Sequence, residues 1–387
     1  MLYPTYRHFG PADPTPLPYL RQAGGRGIVT ALHHVPVGKV WAPEAIRQRC
    51  AEVAAAGLEW TVVESLPVSE AIKTRTGDYE RHLDNYVTSL ANLGAAGVRT
   101  VTYNFMPVMD WTRTDLDYRM PDGGAALRFD RALMTAFDLL VLRRPAARAE
   151  YSQREQAAAR DRWEALDAAG RDLVVANVTK GLPGSEESFT MEQFRTALAA
   201  YDDIDADRLR EHLVAFLAQV TPAAEAAGVR LVVHPDDPPF PLLGLPRIVS
   251  TADDFQRLID AVPSPANGLC FCTGSFGVRP DNDLPAMAAR FADRIHFVHL
   301  RSTRREADGS FHEAGHLTGD VDMVAVLRAL LAENARRTTP IPFRPDHGHC
   351  ILDDLAKPAG ITPGYTAIGR LKGMAELIGV QTAILAE

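Results

Sequence analysis

The chain has little cysteine, no surplus of positive charge and no long apolar run, and each shortage removes a class of function. Four cysteines in 387 residues, Cys50, Cys270, Cys272 and Cys350, make no disulfide framework. Lys plus Arg number 41 against 49 Asp plus Glu, a net charge of −8. No large basic surface is therefore available for nucleic acid or an anionic membrane, although a few local arginines could still hold a small anion. No apolar stretch approaches the ~18–20 residues of a membrane span. The opening MLYPTYRHFGPADPTP lacks a charged segment followed by an apolar one. That sets the expectation of no signal peptide and a cytoplasmic protein with reduced thiols, in which the Asn177-Val178-Thr179 sequon has no use. No G-x-G-x-x-G follows an apolar run, so a Rossmann-type dinucleotide site loses its main support.

What is present is an alternation. Short β-rich runs occur at Ile28–Leu32, Trp60–Glu64, Val98–Phe105, Arg230–His234, Gly268–Thr273, Ile295–Leu300 and Ile341–Asp346, and an eighth is plausible at Tyr3–Phe9. Continuous apolar runs of this length suit strands buried on both faces of a parallel sheet. Between them lie amphipathic stretches. Ile46, Cys50, Val53 and Gly57 share a helical face, as do Leu83, Val87, Leu90 and Gly94, and Leu209, Leu213, Phe216 and Val220. Thr221-Pro222 is expected to kink or restart the last of these. Asp320 is expected to cap a helix over Val321–Asn334. Eight βα units close a (β/α)₈ TIM barrel. The expectation is one TIM-barrel domain over 1–387, with a helical insertion at about 110–207 after an early-middle strand. That insertion includes a charged helix near Glu150–Arg171 and a loop rich in Gly, Pro and Ser at Gly181–Ser188.

Polar residues fall at telling places. His234, Cys272, His299 and Asp346 end four successive runs, VVH, CFC, FVH and FRPD. A lone His there is ordinarily a hydrogen-bonded structural residue, and a buried Cys a small hydrophobe. In a parallel barrel, however, successive strand ends ring one mouth, so the four could converge on one metal ion. His312-Glu313-Ala314-Gly315-His316 matches the zinc-protease pattern H-E-x-x-H, which requires a helix. Gly315 and the neighbouring Gly309 and Gly319 argue for a loop beside the barrel mouth, or a lid. His347 stands out among the remaining histidines because it adjoins Asp346. One His of each pair, His33-His34 and His347/His349, is expected to be structural. Tyr365 lies in a Pro-Gly-Tyr loop after the last run.

Longer motifs carry a resemblance. GIVTALHHVPVGKVW, VVESLPV, YNFMPVMDWTRTDLDYRMPDG, HPDDPP, CTGSFGVRPDND, HLRSTRREADGSFHEAGHLTGDVDM, RPDHGHCILDD and PGYTAIGRLKGMAEL resemble the mannonate dehydratase family along nearly the whole chain. His8 departs from the aromatic residue expected there, and Cys270 stands at a variable position. The resemblance implies a xylose-isomerase-like TIM barrel, metal ligands His234, Cys272, His299 and Asp346, and Mn²⁺ or Fe²⁺ as the ion. Ligand softness alone would admit Zn²⁺ as readily. It also implies His347 and Tyr365 as the acid/base pair and Arg344, with Arg301, as substrate-binding residues.

The implied reaction is loss of water from D-mannonate to give 2-dehydro-3-deoxy-D-gluconate in hexuronate catabolism. His347 is assigned as base and Tyr365 as acid, and the roles could be exchanged. The alternative is a metal-dependent sugar isomerase or epimerase on the same barrel. A sugar-acid-binding protein without turnover would have no need of both His347 and Tyr365. The expected partner is a small anionic sugar acid, not nucleic acid or membrane, with a homo-oligomer left open.

Overall fold

The computed structural model describes residues 1–180, 190–357 and 362–387, so the loop expected at Gly181–Ser188 lies outside the described residues. The chain forms strands β1 (Tyr3–Arg7), β2 (Gly27–Thr30), β3 (Glu59–Glu64), β4 (Thr100–Tyr103), β5 (Asp115–Arg119) and β6 (Ala125–Phe129). These are followed by β7 (Arg230–Val233), β8 (Asn267–Cys272), β9 (Ile295–Leu300), β10 (Ser302–Arg305), β11 (Phe311–Ala314) and β12 (Pro342–Pro345). All eight runs read from the sequence are strands. They close a barrel in the order β1-β12-β9-β8-β7-β4-β3-β2, and every pair is parallel. Strands consecutive around the barrel are consecutive along the chain, apart from the four that leave it. That is the TIM-barrel topology.

Burial explains the apolar runs. Strand residues facing outward pack under the helices, and those facing inward fill the barrel. Val29, Val62, Val232, Cys270 and Phe297, from five strands, form a small cluster of their own inside it. The helical faces seat as their spacing requires. Leu209, Leu213, Phe216 and Val220 are buried along the helix Ala206–Ala226. Gly94, on the helix Tyr79–Ala95, meets that helix's end so closely that a Cβ would lie 2.5 Å from the Ala227 carbonyl oxygen. Two local expectations need correction. Pro222 lies inside a helix that runs through it. The cap near residue 320 is Asp322, which accepts from the Ala325 amide and starts Met323–Asn334, because Asp320 is engaged by Arg304 and Arg305.

The stretch expected to be a helical insertion opens with two strands. β5 and β6 pair antiparallel around a turn in which Gly123 takes φ +86°. The helices Arg131–Ala136, Gln153–Glu164, Ala168–Thr179 and Met191–Ala199 follow. The Asp122-Gly123 turn signal was in the sequence. Strand β5, however, is half exposed and rich in charge, so its apolar alternation is weak. β6 then pairs with β11, and β11 with β10, making a second, antiparallel sheet in the order β10-β11-β6-β5. The first three residues of HEAGH, His312–Ala314, are therefore strand, and Gly315 and His316 lie in the turn after it. Phe311 stacks on Phe129 at 5.4 Å, and the Cys350 and Ala125 backbones bridge the sheet to the loop after β12. This second sheet joins the loops that follow β4, β9 and β12.

Candidate active site

The site is set by strand register. Cys272 pairs with His299, and His299 with Arg344, so three neighbouring strands present these residues in one row. His234 follows the end of β7 and donates its amide to the Tyr103 carbonyl. Asp346 follows β12, on the same face as Arg344 by the two-residue period. One layer below, the Phe297 ring packs edge-on beneath His299 with centroids 4.7 Å apart.

The four expected metal ligands meet. His234 Nε2 lies 3.2 Å from His299 Nδ1, and Asp346 Oδ2 lies 3.7 Å from the same nitrogen. Donor atoms of Cys272, His299 and Asp346 fall within 4.8 Å of one another, and so do those of His234, Cys270 and His299. His299 is common to both groups. Its other nitrogen, Nε2, faces Glu64 at 3.4 Å and Cys270 at 3.3 Å. A carboxylate behind a histidine fixes its tautomer and leaves Nδ1 free to ligate. The two thiols are unlike. Burial works against both. At Cys272 it is outweighed by Arg301 and by hydrogen bonds from His234 and His299, which hold the thiol well below its usual range. Cys270 has burial and the nearby Glu64 charge pushing it well above. Cys272 is thus the more acidic of the two thiols, and Ser275 donates to it from Oγ at 3.2 Å. Gly274 lets Arg301 lie across this turn, since a Cβ there would sit 2.3 Å from the arginine.

His347 and Tyr365 come together above this row. Their rings meet edge-on at 5.5 Å, and Tyr365 donates to Asp346 Oδ1 at 3.2 Å. Burial, then the Asp346 charge, push the Tyr365 phenol up. His234, Arg301, Arg344, Asp346, His347 and Tyr365 wall one cavity together with Arg7, Glu64, Asn104, Asp110, Trp111 and Asp237. Its volume of about 50 Å³ is several times the roughly 10–15 Å³ that one water needs.

Several of these residues escaped sequence reading. Arg301 is bound by Asp237 and Glu313, and Arg113 reaches Asp237 at 2.7 Å and Glu313 at 2.9 Å. Arg344 is bound by Asp346 and, at 2.9 Å, by Glu64, which also pairs with Arg7 at 3.2 Å. Glu64 and Asp237 had a signal, one ending an apolar run and the other three residues past His234. Glu313 was passed over with the protease pattern. The flanking His312 and His316 do point elsewhere, towards Glu306 at 3.7 Å and Glu376 at 3.9 Å. His349 is structural, its Nε2 lying 2.8 Å from the Glu313 carbonyl. His33 and His34 do not line the cavity.

The charges suit a divalent cation. Cys272, Asp346, Glu64, Asp237, Glu313 and Asp110 are six anions, set against the five cations Arg7, Arg113, Arg301, Arg344 and Lys73. A divalent ion would reverse the sign of that balance, and a singly charged acid would then neutralise it. Two imidazoles, a thiolate and a carboxylate suit a borderline first-row ion.

The comparisons with known proteins agree with this geometry. The model of the D-mannonate dehydratase (UxuA) family matches residues 2–387. The chain belongs to the D-mannonate dehydratase family. A mannonate dehydratase of Marinomonas sp. (strain MWYL1) is 56% identical over 386 residues, covering 98% of each chain. The crystal structure of mannonate dehydratase from Streptococcus suis serotype 2 superposes with a TM-score of 0.79 at 32% identity, covering 100% of this chain and 94% of that one. A xylose-isomerase-like TIM barrel protein from Mycobacterium smegmatis, at 16% identity and a TM-score of 0.51 over 98% of this chain and 97% of that one, shares the fold. D-Mannonate dehydratases are hydro-lyases. Among the described residues no helix is long and apolar enough to cross a membrane.

Proposed function

We propose that this chain removes water from D-mannonate to give 2-dehydro-3-deoxy-D-gluconate, using His347 and Tyr365 as its proton-transfer pair. The observation that carries the reading is that both residues line one cavity with Arg344, Arg301 and two of the expected ligands, His234 and Asp346. His234, Cys272, His299 and Asp346 would hold Mn²⁺ or Fe²⁺, which supplies Lewis-acid stabilisation of the charge that builds on the substrate carboxylate when C2 loses its proton. Arg344 and Arg301 orient that carboxylate, since a planar guanidinium matches it. His347 accepts the C2 proton. Tyr365, kept protonated by burial and by Asp346, gives its proton to the C3 hydroxyl, which leaves as water. The enol then takes a proton at C3 and becomes the 2-keto acid. Trp111, packed 5.9 Å from the His347 ring, screens the pair from solvent. Four unpaired cysteines, one of them a ligand, suit a reducing cytoplasm.

The test is anaerobic incubation with D-mannonate and either ion, scoring the 2-keto-3-deoxy acid. Its formation with the ion and its loss on chelation are expected. An isomerised or epimerised product with no water released would overturn the reading.

A further inference from the structure

Glu313 stands apart from the ligand row and from the acid/base pair, yet it touches both halves of the site. It lies on β11, in the second sheet, and its side chain is 1% exposed. One oxygen, Oε1, takes three donors: Arg113 Nη2 at 2.9 Å, Arg301 Nη1, and His347 Nδ1 at 3.0 Å. A carboxylate this enclosed would ordinarily be costly, and here burial does oppose its charge. Arg301, His347 and Arg113 outweigh that and pull its pKa down to about 2.

His347 Nδ1 also lies 2.9 Å from Arg301 Nη1. The two neighbours ask opposite things of the ring. An arginine only donates, so bonding to it would leave the proton on Nε2 and make His347 a hydrogen donor towards the cavity. A carboxylate only accepts, so bonding to it puts the proton on Nδ1 and leaves the Nε2 lone pair free. Arg301 gives Glu313 a hydrogen from Nη1, Asp237 and Ser275 hydrogens from Nη2 and Cys272 one from Nε. Arg301 Nη1 and His347 Nδ1 stand close because both aim at the same oxygen.

We propose that Glu313 is a positioning residue that fixes His347 as the Nδ1–H tautomer and so makes it the base of the reaction. The proposal rests on the assignment of His347 to proton transfer. The chemistry is that of a carboxylate behind a catalytic imidazole: His347 Nε2 takes the C2 proton, Nδ1 keeps its own, and Glu313 stays ionised and stabilises the imidazolium. The H-E-x-x-H pattern thus contributes its glutamate to the site and neither histidine. The residue reaches the site from the second sheet, anchored by the β11 pairing of His312 with Arg128.

The experiment is a double-mutant cycle on the ion-loaded enzyme, pairing Glu313→Gln with His347→Asn and recording kcat, KM for D-mannonate and metal content. Glu313→Gln alone should lower kcat about 10²-fold, with KM and metal content held. In the His347→Asn background it should change kcat less than about threefold, because a residue acting through His347 has nothing left to act on. Equal losses in both backgrounds, or a change confined to KM, would overturn the positioning role while leaving His347 in place. Near-normal turnover of His347→Asn alone would instead overturn the assignment beneath it. Should Glu313→Gln not fold, Glu313→Asp runs the same cycle. It keeps the charge that Arg113 and Arg301 require and withdraws the oxygen by one methylene.

Discussion

The two sheets of this protein furnish its site in different ways. The barrel sheet offers rows of side chains at fixed heights, and Cys272, His299 and Arg344 stand level because adjacent parallel strands are in register. The second sheet offers no row. It is assembled from the loops after β4 and β9, and its contribution is a pair, Glu313 from β11 and Arg113 from the approach to β5. The barrel presents atoms that would bind an ion. The second sheet holds the side chains that aim His347. Rigid strands suit ligation, which needs several donors at once. A separate layer can orient one imidazole without disturbing that set.

The sharpest way to break this division is to remove a barrel ligand. His234→Ala should lose both bound metal and measurable turnover, and Cys272→Ser should lose most of each, as read by metal analysis of the purified protein beside the dehydration assay. Full metal content in Cys272→Ser would take the thiolate out of the ligand set.

Next in size is the proton-transfer pair. His347→Asn and Tyr365→Phe should keep the metal and bind D-mannonate while kcat falls by roughly 10²–10⁴-fold. Exchange at C2 in D₂O separates the roles. Tyr365→Phe should still exchange that proton, and His347→Asn should not. The reverse pattern would swap acid and base.

The second sheet should show itself in acid. Glu313 has its pKa pulled down to about 2 from a usual 4.5, by Arg301, His347 and Arg113 against the cost of burial. A depressed carboxylate stabilises the fold above its unfolded value and loses that contribution as pH falls towards its folded one. Denaturation curves should therefore lose roughly 3 kcal/mol between pH 4.5 and pH 2 from this group, and Glu313→Gln should flatten that part of the profile. The smallest effect lies outside both sheets. Asp322→Ala should cost about 1 kcal/mol as the lost cap of Met323–Asn334, seen as a lower melting temperature with kcat unchanged.

The same division decides what the sequence disclosed. All eight barrel strands could be read, because burial on both faces writes a continuous apolar run. The four candidate ligands stood out because each ends such a run. Glu64 was equally visible, and only its role was missed, since a glutamate closing WTVVE carries no metal-site spacing. The second sheet was hidden. β5 and β10 are short, charged and partly exposed, and their partners lie far along the chain, so no local pattern marks them. Glu313 was set aside with its histidines, although the strand that ruled out a zinc-protease helix is what delivers its carboxylate.

The long reach of these pairs bears on how the molecule is made. Arg344 and Glu64 are 280 positions apart, Arg113 and Glu313 200, and Arg113 and Asp237 124. Each such bond must close a loop of more than a hundred residues before it returns any stabilisation. A nascent chain that has emerged only through β9 already carries His234, Cys272 and His299, but neither the Asp346 carboxylate nor the glutamate that orders His347. A thiolate and two imidazoles without their carboxylate would be an open trap for whatever thiophilic ion is at hand. The late arrival of β12 is thus the step at which a loose cluster of donors becomes a site of defined charge.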